Sequence, residues 1–359
     1  MALLVLILVS GLTGCLFSIN HPIAGPDGEL AVFLQSDGSY SLFPEAGVLH
    51  LQREGEWIPV PAATLSEAGA LLAASPDGSE YLYVELRSGE LFEPMLSTLY
   101  RVEASPNAVP ARLLETERMI ARAVWREEGI VLLSFGEEEL GRLEVLDPET
   151  GTLRWLFDDL LSFEWPEASS SLLLIGADRD GDLAVGRIGR WDPSQDDGED
   201  LASFVLNKST AEAFTTLPHS FFCDVSPDGQ WIALALYDQS MIEPSADVAV
   251  PAVYLIDVAF DSAERIAAGG MMPAFSADGR SLAYVGTEDG ATGRVMLHDL
   301  GSGETTVVPG TERVESLLWL GPGRLGVTFE VGNDLSRLVE IDVASGTSRE
   351  LIAAPKLEN

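Results

Sequence analysis

The stretch Phe222-Cys223-Asp224-Val225-Ser226-Pro227-Asp228-Gly229-Gln230-Trp231-Ile232-Ala233-Leu234-Ala235 decides how the chain is read. A short apolar run meets a four-residue turn, and a second apolar run follows. In such a turn Asp bonds nearby backbone through its side chain and Gly supplies φ > 0. The stretch therefore predicts strand, tight turn, strand. The pattern returns at Leu71-Leu72-Ala73, Ser75-Pro76-Asp77-Gly78 and Glu80-Tyr81-Leu82-Tyr83-Val84. It returns again at Pro273-Ala274-Phe275, Ser276-Ala277-Asp278-Gly279 and Ser281-Leu282-Ala283-Tyr284-Val285.

A second repeated element lies downstream of these. Leu143-Glu144-Val145-Leu146-Asp147 leads to Gly151, Val295-Met296-Leu297-His298-Asp299 to Gly303, and Leu338-Val339-Glu340-Ile341-Asp342 to Gly346. The Asp–Gly spacing is that of a hairpin built from a type I turn with Gly in the left-handed region. Tyr254-Leu255-Ile256-Asp257 opens the same element without the Gly. Three more units carry tryptophan where the others have Asp-Gly: Trp125 before Ile130-Val131-Leu132-Leu133, Trp165 before Leu172-Leu173-Leu174-Ile175, and Trp319 before Leu325-Gly326-Val327. The two elements alternate, so each unit holds four short antiparallel strands. One such unit cannot bury both faces, and stacking units around an axis does so. The fold expected is all-β, a β-propeller of four-stranded blades. Units begin near residues 23, 71, 119, 160, 222, 272 and 314, which favours seven blades over six or eight. The turn of the first unit is either Gly25-Pro26-Asp27-Gly28 or Gln35-Ser36-Asp37-Gly38. Trp125, Trp165 and Trp319 are expected to pack between blades, because Trp is mostly buried.

The Ser-Pro-Asp-Gly turns followed by aliphatic-aromatic strands resemble the WD40-like (PD40) repeats of TolB-type propellers, which also occur in prolyl-oligopeptidase-type enzymes. The resemblance is clearest near 71, 222 and 272. The resemblance to the prolyl-oligopeptidase-type enzymes is not expected to extend to catalysis, because the sequence ends where their hydrolase domain would begin.

Residues Met1 to Ile19 carry no charge, and Leu3 to Val9 are aliphatic. A short apolar core followed by small residues reads as a secretory signal. Its ending, Leu12-Thr13-Gly14-Cys15, resembles the bacterial lipobox, which implies diacylglyceryl transfer to Cys15 and cleavage before it. A signal normally has a positive leading segment, whereas the first charge here is Asp27; a start several residues upstream would supply it. The alternatives are a transmembrane anchor, which Gly11, Thr13, Gly14 and Asn20 weaken, or a buried strand. The division expected is signal peptide 1–14, lipidated tether 15–22, propeller 23–355 and tail 356–359. The localisation expected is the cell envelope, on the outer face of a bacterial membrane.

Composition narrows the partners. The chain of 359 residues has 57 acidic and 21 basic residues, a net charge of −36. Only Lys208 and Lys356 are lysines. Nucleic-acid binding depends on Lys and Arg neutralising phosphates, so that class is excluded. With 46% hydrophobic and 22% charged residues, the chain is of ordinary globular composition. Two cysteines, Cys15 and Cys223, make neither a disulfide framework nor a Cys-rich zinc site. Catalytic motifs are missing: no nucleophile elbow, no His-Glu-x-x-His, no Walker loop and no dinucleotide fingerprint. His21, His50, His219 and His298 lack ligand spacing, and Cys223 is expected to act as a small buried hydrophobe.

Candidate sites therefore fall on loops. Arg87 to Ser97, with Phe92, Glu93, Pro94 and Met95, and Tyr237 to Pro251, with Asp238, Met241, Glu243, Pro244 and Asp247, join second to third strands. Phe92, Met95, Met241 and Glu243 are the binding residues expected, since exposed apolar groups among acids suit a protein-binding surface. Ordinary solvated loops are the alternative. Lys208 to Ser220 is a third long connection on the same face. Asp178, Asp180 and Asp182 alternate as the ligands of a Ca²⁺ loop do, but the Gly comes early and no Glu closes the loop, so an Asp-rich hairpin turn competes. Asp196-Asp197-Gly198-Glu199-Asp200 reads as a solvated run. The leading functional expectation is a lipid-anchored propeller that binds a protein or a cell-envelope component. The alternatives are a lactonase-type or sugar-cleaving enzyme with carboxylates and Ca²⁺ at the tunnel mouth, and a purely structural module.

Overall fold

The computed structural model describes residues 22–353 except 25–28, 36, 42–45, 54, 67, 88–95, 128, 137–140, 166–170, 181–182, 193–196, 207–222, 237–251, 259–261, 287–292 and 333–334. The described residues form strands and turns, with no helix among them. The first sheet holds β1 (Ile23–Ala24), β2 (Leu30–Leu34), β3 (Gly47–Arg53) and β4 (Glu56–Leu65). The second holds β5 (Gly69–Ala74), β6 (Glu80–Arg87), β7 (Leu96–Glu103) and β8 (Ala111–Thr116). A seven-stranded sheet follows: β9 (Met119–Arg126), β10 (Gly129–Phe135), β11 (Gly141–Leu146), β12 (Leu153–Glu164), β13 (Leu172–Asp180), β14 (Leu183–Asp192) and β15 (Asp197–Leu206). Three more four-stranded sheets complete the chain. They are β16 (Cys223–Val225), β17 (Trp231–Leu236), β18 (Ala252–Asp257) and β19 (Ser262–Ala267); β20 (Gly270–Phe275), β21 (Ser281–Gly286), β22 (Arg294–Asp299) and β23 (Thr305–Val307); and β24 (Val314–Gly321), β25 (Arg324–Gly332), β26 (Leu335–Asp342) and β27 (Ser348–Ile352). Strands are antiparallel and in chain order within every sheet. This is the β-propeller expected from the repeats.

The turn chemistry is as the sequence predicts. Gly78, Gly229 and Gly279 have φ of 70°, 71° and 67°. In each of these turns Ser Oγ bonds the Asp carboxylate and also receives the N–H of the residue five positions on. In the second element the N–H of Gly151, Gly303 and Gly346 bonds the carbonyl of Asp147, Asp299 and Asp342 at 2.8–2.9 Å. In the first sheet Gly25–Gly28 is the stretch between the inner strands, since Ala24 pairs with Leu30; Gln35–Gly38 lies after β2, with Gly38 at φ 81°. At Gly279 a Cβ would meet only Pro227 Cδ, at 3.6 Å, so the objection to a side chain is conformational. Gly279→Val is expected to cost about 1 kcal/mol or more through that strain. A thermal melt superimposable on the parent would refute the turn assignment.

One boundary differs from the expectation of separate units near 119 and 160. β12 is continuous and serves twice. Its first half pairs with β11 (Trp155↔Glu144) and its second half with β13 (Phe163↔Leu174). The strand contains no Gly or Pro to stop it, and it turns at Asp159, a non-glycine with φ 60°.

Sheets pack face to face on aliphatic and aromatic side chains. One buried cluster runs from Val32, Leu34 and Tyr40 through Ile175, Ile188 and Leu234 to Leu325 and Leu338, so it joins the first sheet to the last. Trp125 and Trp165 pack against a second cluster and Trp319 against the first. Polar links cross every junction between successive units. Arg53 bonds the Ala104 carbonyl, Ile120 N–H bonds Ser97 Oγ at 3.2 Å, and Arg122 pairs with Glu164. Cys223 Sγ–H bonds Ser162 Oγ at 3.3 Å, Phe275 N–H bonds Asp224 Oδ2 at 2.6 Å, and Trp319 Nε1–H bonds the Ala274 carbonyl at 2.9 Å. First and last sheets meet through Ser336 N–H to the Tyr40 carbonyl (3.0 Å) and Trp57 Nε1–H to the Leu351 carbonyl (3.1 Å). Among the described residues neither the first sheet nor the last takes a strand from the other end of the chain, and these contacts and the shared core hold the closing seam.

Candidate functional site

The inner strands surround a cavity of about 380 Å³. Its wall takes Ile23 from β1, Leu71 and Leu72 from β5, Ile120 and Arg122 from β9, Glu164 from β12, Cys223 and Asp224 from β16, Met272 to Phe275 from β20, and Leu317 to Trp319 from β24. Each unit thus contributes its innermost strand, which identifies the cavity as the axial tunnel. Most of the wall is apolar, and three charged side chains interrupt it.

Arg122 and Glu164 form a two-pronged ion pair from β9 to β12, with side chains only 14% and 11% exposed. The Arg122 guanidinium also lies over the Phe163 ring, 5.1 Å from its centroid. Four residues on, and on the same face of β9, Arg126 bonds the Trp165 carbonyl at 2.7 Å. The two arginines thereby fasten the end of β12.

Asp224 is different. It is bound by backbone N–H, including that of Phe275, and among the described residues no side-chain cation forms an ion pair with it. Burial, and then the nearby Glu164 charge, push its carboxyl up to about 7, although the Phe275 hydrogen bond and Arg122 act in the opposite sense. Its residual accessible surface is the surface facing the tunnel. Beside it, burial pushes the Cys223 thiol up to about 12. A thiol so rarely ionised is a poor nucleophile, and Cys223 acts as the small hydrophobe expected.

β20 makes this geometry possible. The strand bulges between Met271 and Ala274, and just beyond the bulge the Ala274 carbonyl accepts from Trp319 Nε1–H and the Phe275 N–H donates to Asp224. Met272, buried in the bulge, sits at φ 56°, which costs a non-glycine residue roughly 1–2 kcal/mol.

Phe92, Met95, Met241, Glu243, Asp182 and Cys15 lie outside the described residues. Asp178 and Asp180 lie on β13, paired in the ladder with Val185 and Leu183. Among the described residues no group of three or more His, Cys, Asp or Glu could hold a metal ion. His298 is buried, its Nδ1 2.9 Å from Thr305 Oγ1, and burial lowers its pKa. The tunnel charges Arg122, Glu164 and Asp224 were not anticipated individually. Their signal was a charge inside each of three apolar first strands.

No protein-family model matches the chain, and no curated protein matches it in sequence. Solved structures do match in fold. TolB from Acinetobacter baumannii is 18% identical with a TM-score of 0.51, over 76% of this chain and 63% of that one. Puromycin hydrolase is 16% identical with a TM-score of 0.62, over 98% and 56%. The β-propeller domain of the Trilobed protease from Pyrococcus furiosus is 14% identical with a TM-score of 0.60, over 95% of this chain and all of that one. The chain thus spans little more than half the length of the hydrolase and under two thirds of TolB. At these identities the likeness is one of fold.

Proposed function

We propose that the protein is a seven-bladed, lipid-anchored propeller of the bacterial cell envelope that captures a protein or envelope component with one rim. The seven-blade reading counts β12 as the outer strand of one blade and the inner strand of the next. The observation that carries the function is the asymmetry of the connections. Strand order places the ends flanking three long connections, Arg87/Leu96, Leu236/Ala252 and Leu206/Cys223, on one side of the disc. The Ser-x-Asp-Gly and Asp-to-Gly turns occupy the other side. A scaffold with tight turns on one rim and, on the other, long connections whose sequence carries Phe92, Met95 and Met241 suits recognition through the loop side. Leu96, next to Phe92 and Met95 in sequence, is 37% exposed. No helix among the described residues is long and apolar enough to cross a membrane. In this reading the anchor is lipid on Cys15, carried by the resemblance of Leu12-Thr13-Gly14-Cys15 to a lipobox.

Two measurements test this reading. Palmitate should label the parent, and Cys15→Ser should abolish both labelling and signal cleavage. Pull-down from solubilised membranes should recover a partner that Phe92→Asp and Met241→Asp lose while keeping the parent circular dichroism spectrum. Equal recovery by both variants would remove the loops from the site.

A second reading, an enzyme of lactonase or sugar-cleaving type, is favoured by one observation: Glu164 and Asp224 both face the axial tunnel. Turnover of a lactone or oligosaccharide that Glu164→Gln and Asp224→Asn both abolish would establish it.

A further inference from the structure

The tunnel combines features that the rim reading does not use. Its apolar wall includes Leu72, Ile120, Leu318 and the indole of Trp319, whose ring is fixed by its bond to Ala274. The volume, about 380 Å³, falls within the range of small-molecule sites. The Arg122 guanidinium is already neutralised by Glu164, whereas Asp224 is anchored by backbone N–H and lines the cavity with no counter-cation among the described residues. A carboxylate so placed has a charge to share in a partly enclosed, mostly apolar site, where pairing is stronger than in bulk water. The net charge of −36 adds a long-range field that draws cations toward the protein.

We propose that the axial cavity binds a small organic cation, an ammonium group carried on an apolar body, with the Asp224 carboxylate as its counter-charge and the aliphatic and Trp319 wall receiving the body. The ammonium replaces the missing partner of Asp224, and the apolar body displaces tunnel water. The aromatic wall adds attraction for the cation. An anion finds no free positive group here, because Arg122 is committed to Glu164. This site is separate from the loop rim, so either can fail alone.

The affinity should depend on pH. The charged groups facing Asp224 are Glu164 of β12 and Arg122 of β9. The flanking strands β17 and β20 carry no titratable side chain, Glu315 of β24 accepts a bond from Ser336, and Cys223 stays protonated. Asp224, raised to about 7 by burial and by Glu164, must lose its proton to receive an ammonium. Apparent affinity therefore falls with the competent fraction as pH drops.

The probe is phenethylammonium, titrated calorimetrically into the full chain in phosphate buffer, beside 2-phenylethanol, its neutral counterpart. One-to-one binding of the ammonium is expected, about tenfold or more tighter at pH 8 than at pH 5.5, with the alcohol at least tenfold weaker at pH 8. Asp224→Asn should lose at least tenfold in affinity and all of the pH dependence. Should that variant not fold, the pH profile and the alcohol comparison on the parent still decide. No saturable binding of phenethylammonium, equal binding of the alcohol, or binding unchanged in Asp224→Asn, as surface carboxylates alone would give, would each overturn the proposal.

Discussion

Arg122→Ala is expected to destabilise the protein by about 3 kcal/mol, toward the lower end of what breaking a buried ion pair costs. The loss has two sources. Truncation leaves Glu164 charged at 11% exposure without its two-pronged partner, and it removes the guanidinium from the Phe163 ring, 5.1 Å away. The tunnel limits the penalty, because water entering the cavity can partly solvate the Glu164 carboxylate. Arg122→Met combined with Glu164→Leu should recover most of the loss, since replacing both partners with apolar groups removes the unpaired charge as well as the bond. Urea denaturation of the parent, the two single variants and the double variant yields the coupling directly. If Arg122→Ala loses less than about 1 kcal/mol, the pair behaves as an exposed one and does not fasten the tunnel wall.

The blades were legible because their signals are local. Ser-Pro-Asp-Gly at 226–229 and Ser-Ala-Asp-Gly at 276–279 specify a turn through side chains two and five residues from their partners. The inner strands begin at 23, 69, 119, 223, 270 and 314, and the second half of β12 pairs from Leu160, all close to the positions read from the repeats. What was not legible depends on distance. Nothing between Leu153 and Glu164 announces that one strand serves two units, because the bend at Asp159 is imposed by the neighbours on each side. The tunnel charges failed for a related reason. A charge within a buried run must find a partner, and that is the one local signal that Arg122, Glu164 and Asp224 carry. Yet the partner of Arg122 lies 42 residues away and the donor to Asp224 lies 51 away. Only ring geometry brings them together.

Asp224→Asn is expected to change the pH dependence of stability more than any other single substitution in the tunnel. The native carboxyl is raised to about 7 from its ordinary value of 3.8, first by burial and then by the Glu164 charge. Between those two values the native state holds a proton that the unfolded chain has released, so its contribution is fully present below about pH 4 and is lost as pH rises through 7. The full shift would be worth about 4 kcal/mol; water in the tunnel should reduce it to about 2. Asparagine cannot ionise, and its side-chain oxygen can still accept the Phe275 N–H. The variant should therefore gain about 2 kcal/mol on the parent between pH 4 and pH 8, and level off above that. Urea unfolding of both proteins across this range checks the sign as well as the size, and parallel profiles would show that Asp224 is solvated in the native state. A gain at pH 8 would also explain why a carboxylate is informative at this position. The parent forgoes stability at neutral pH to keep an uncompensated charge facing its tunnel, which is the trade expected of a site kept for binding. The same variant should then be the more stable protein and the one that no longer distinguishes phenethylammonium from its neutral counterpart.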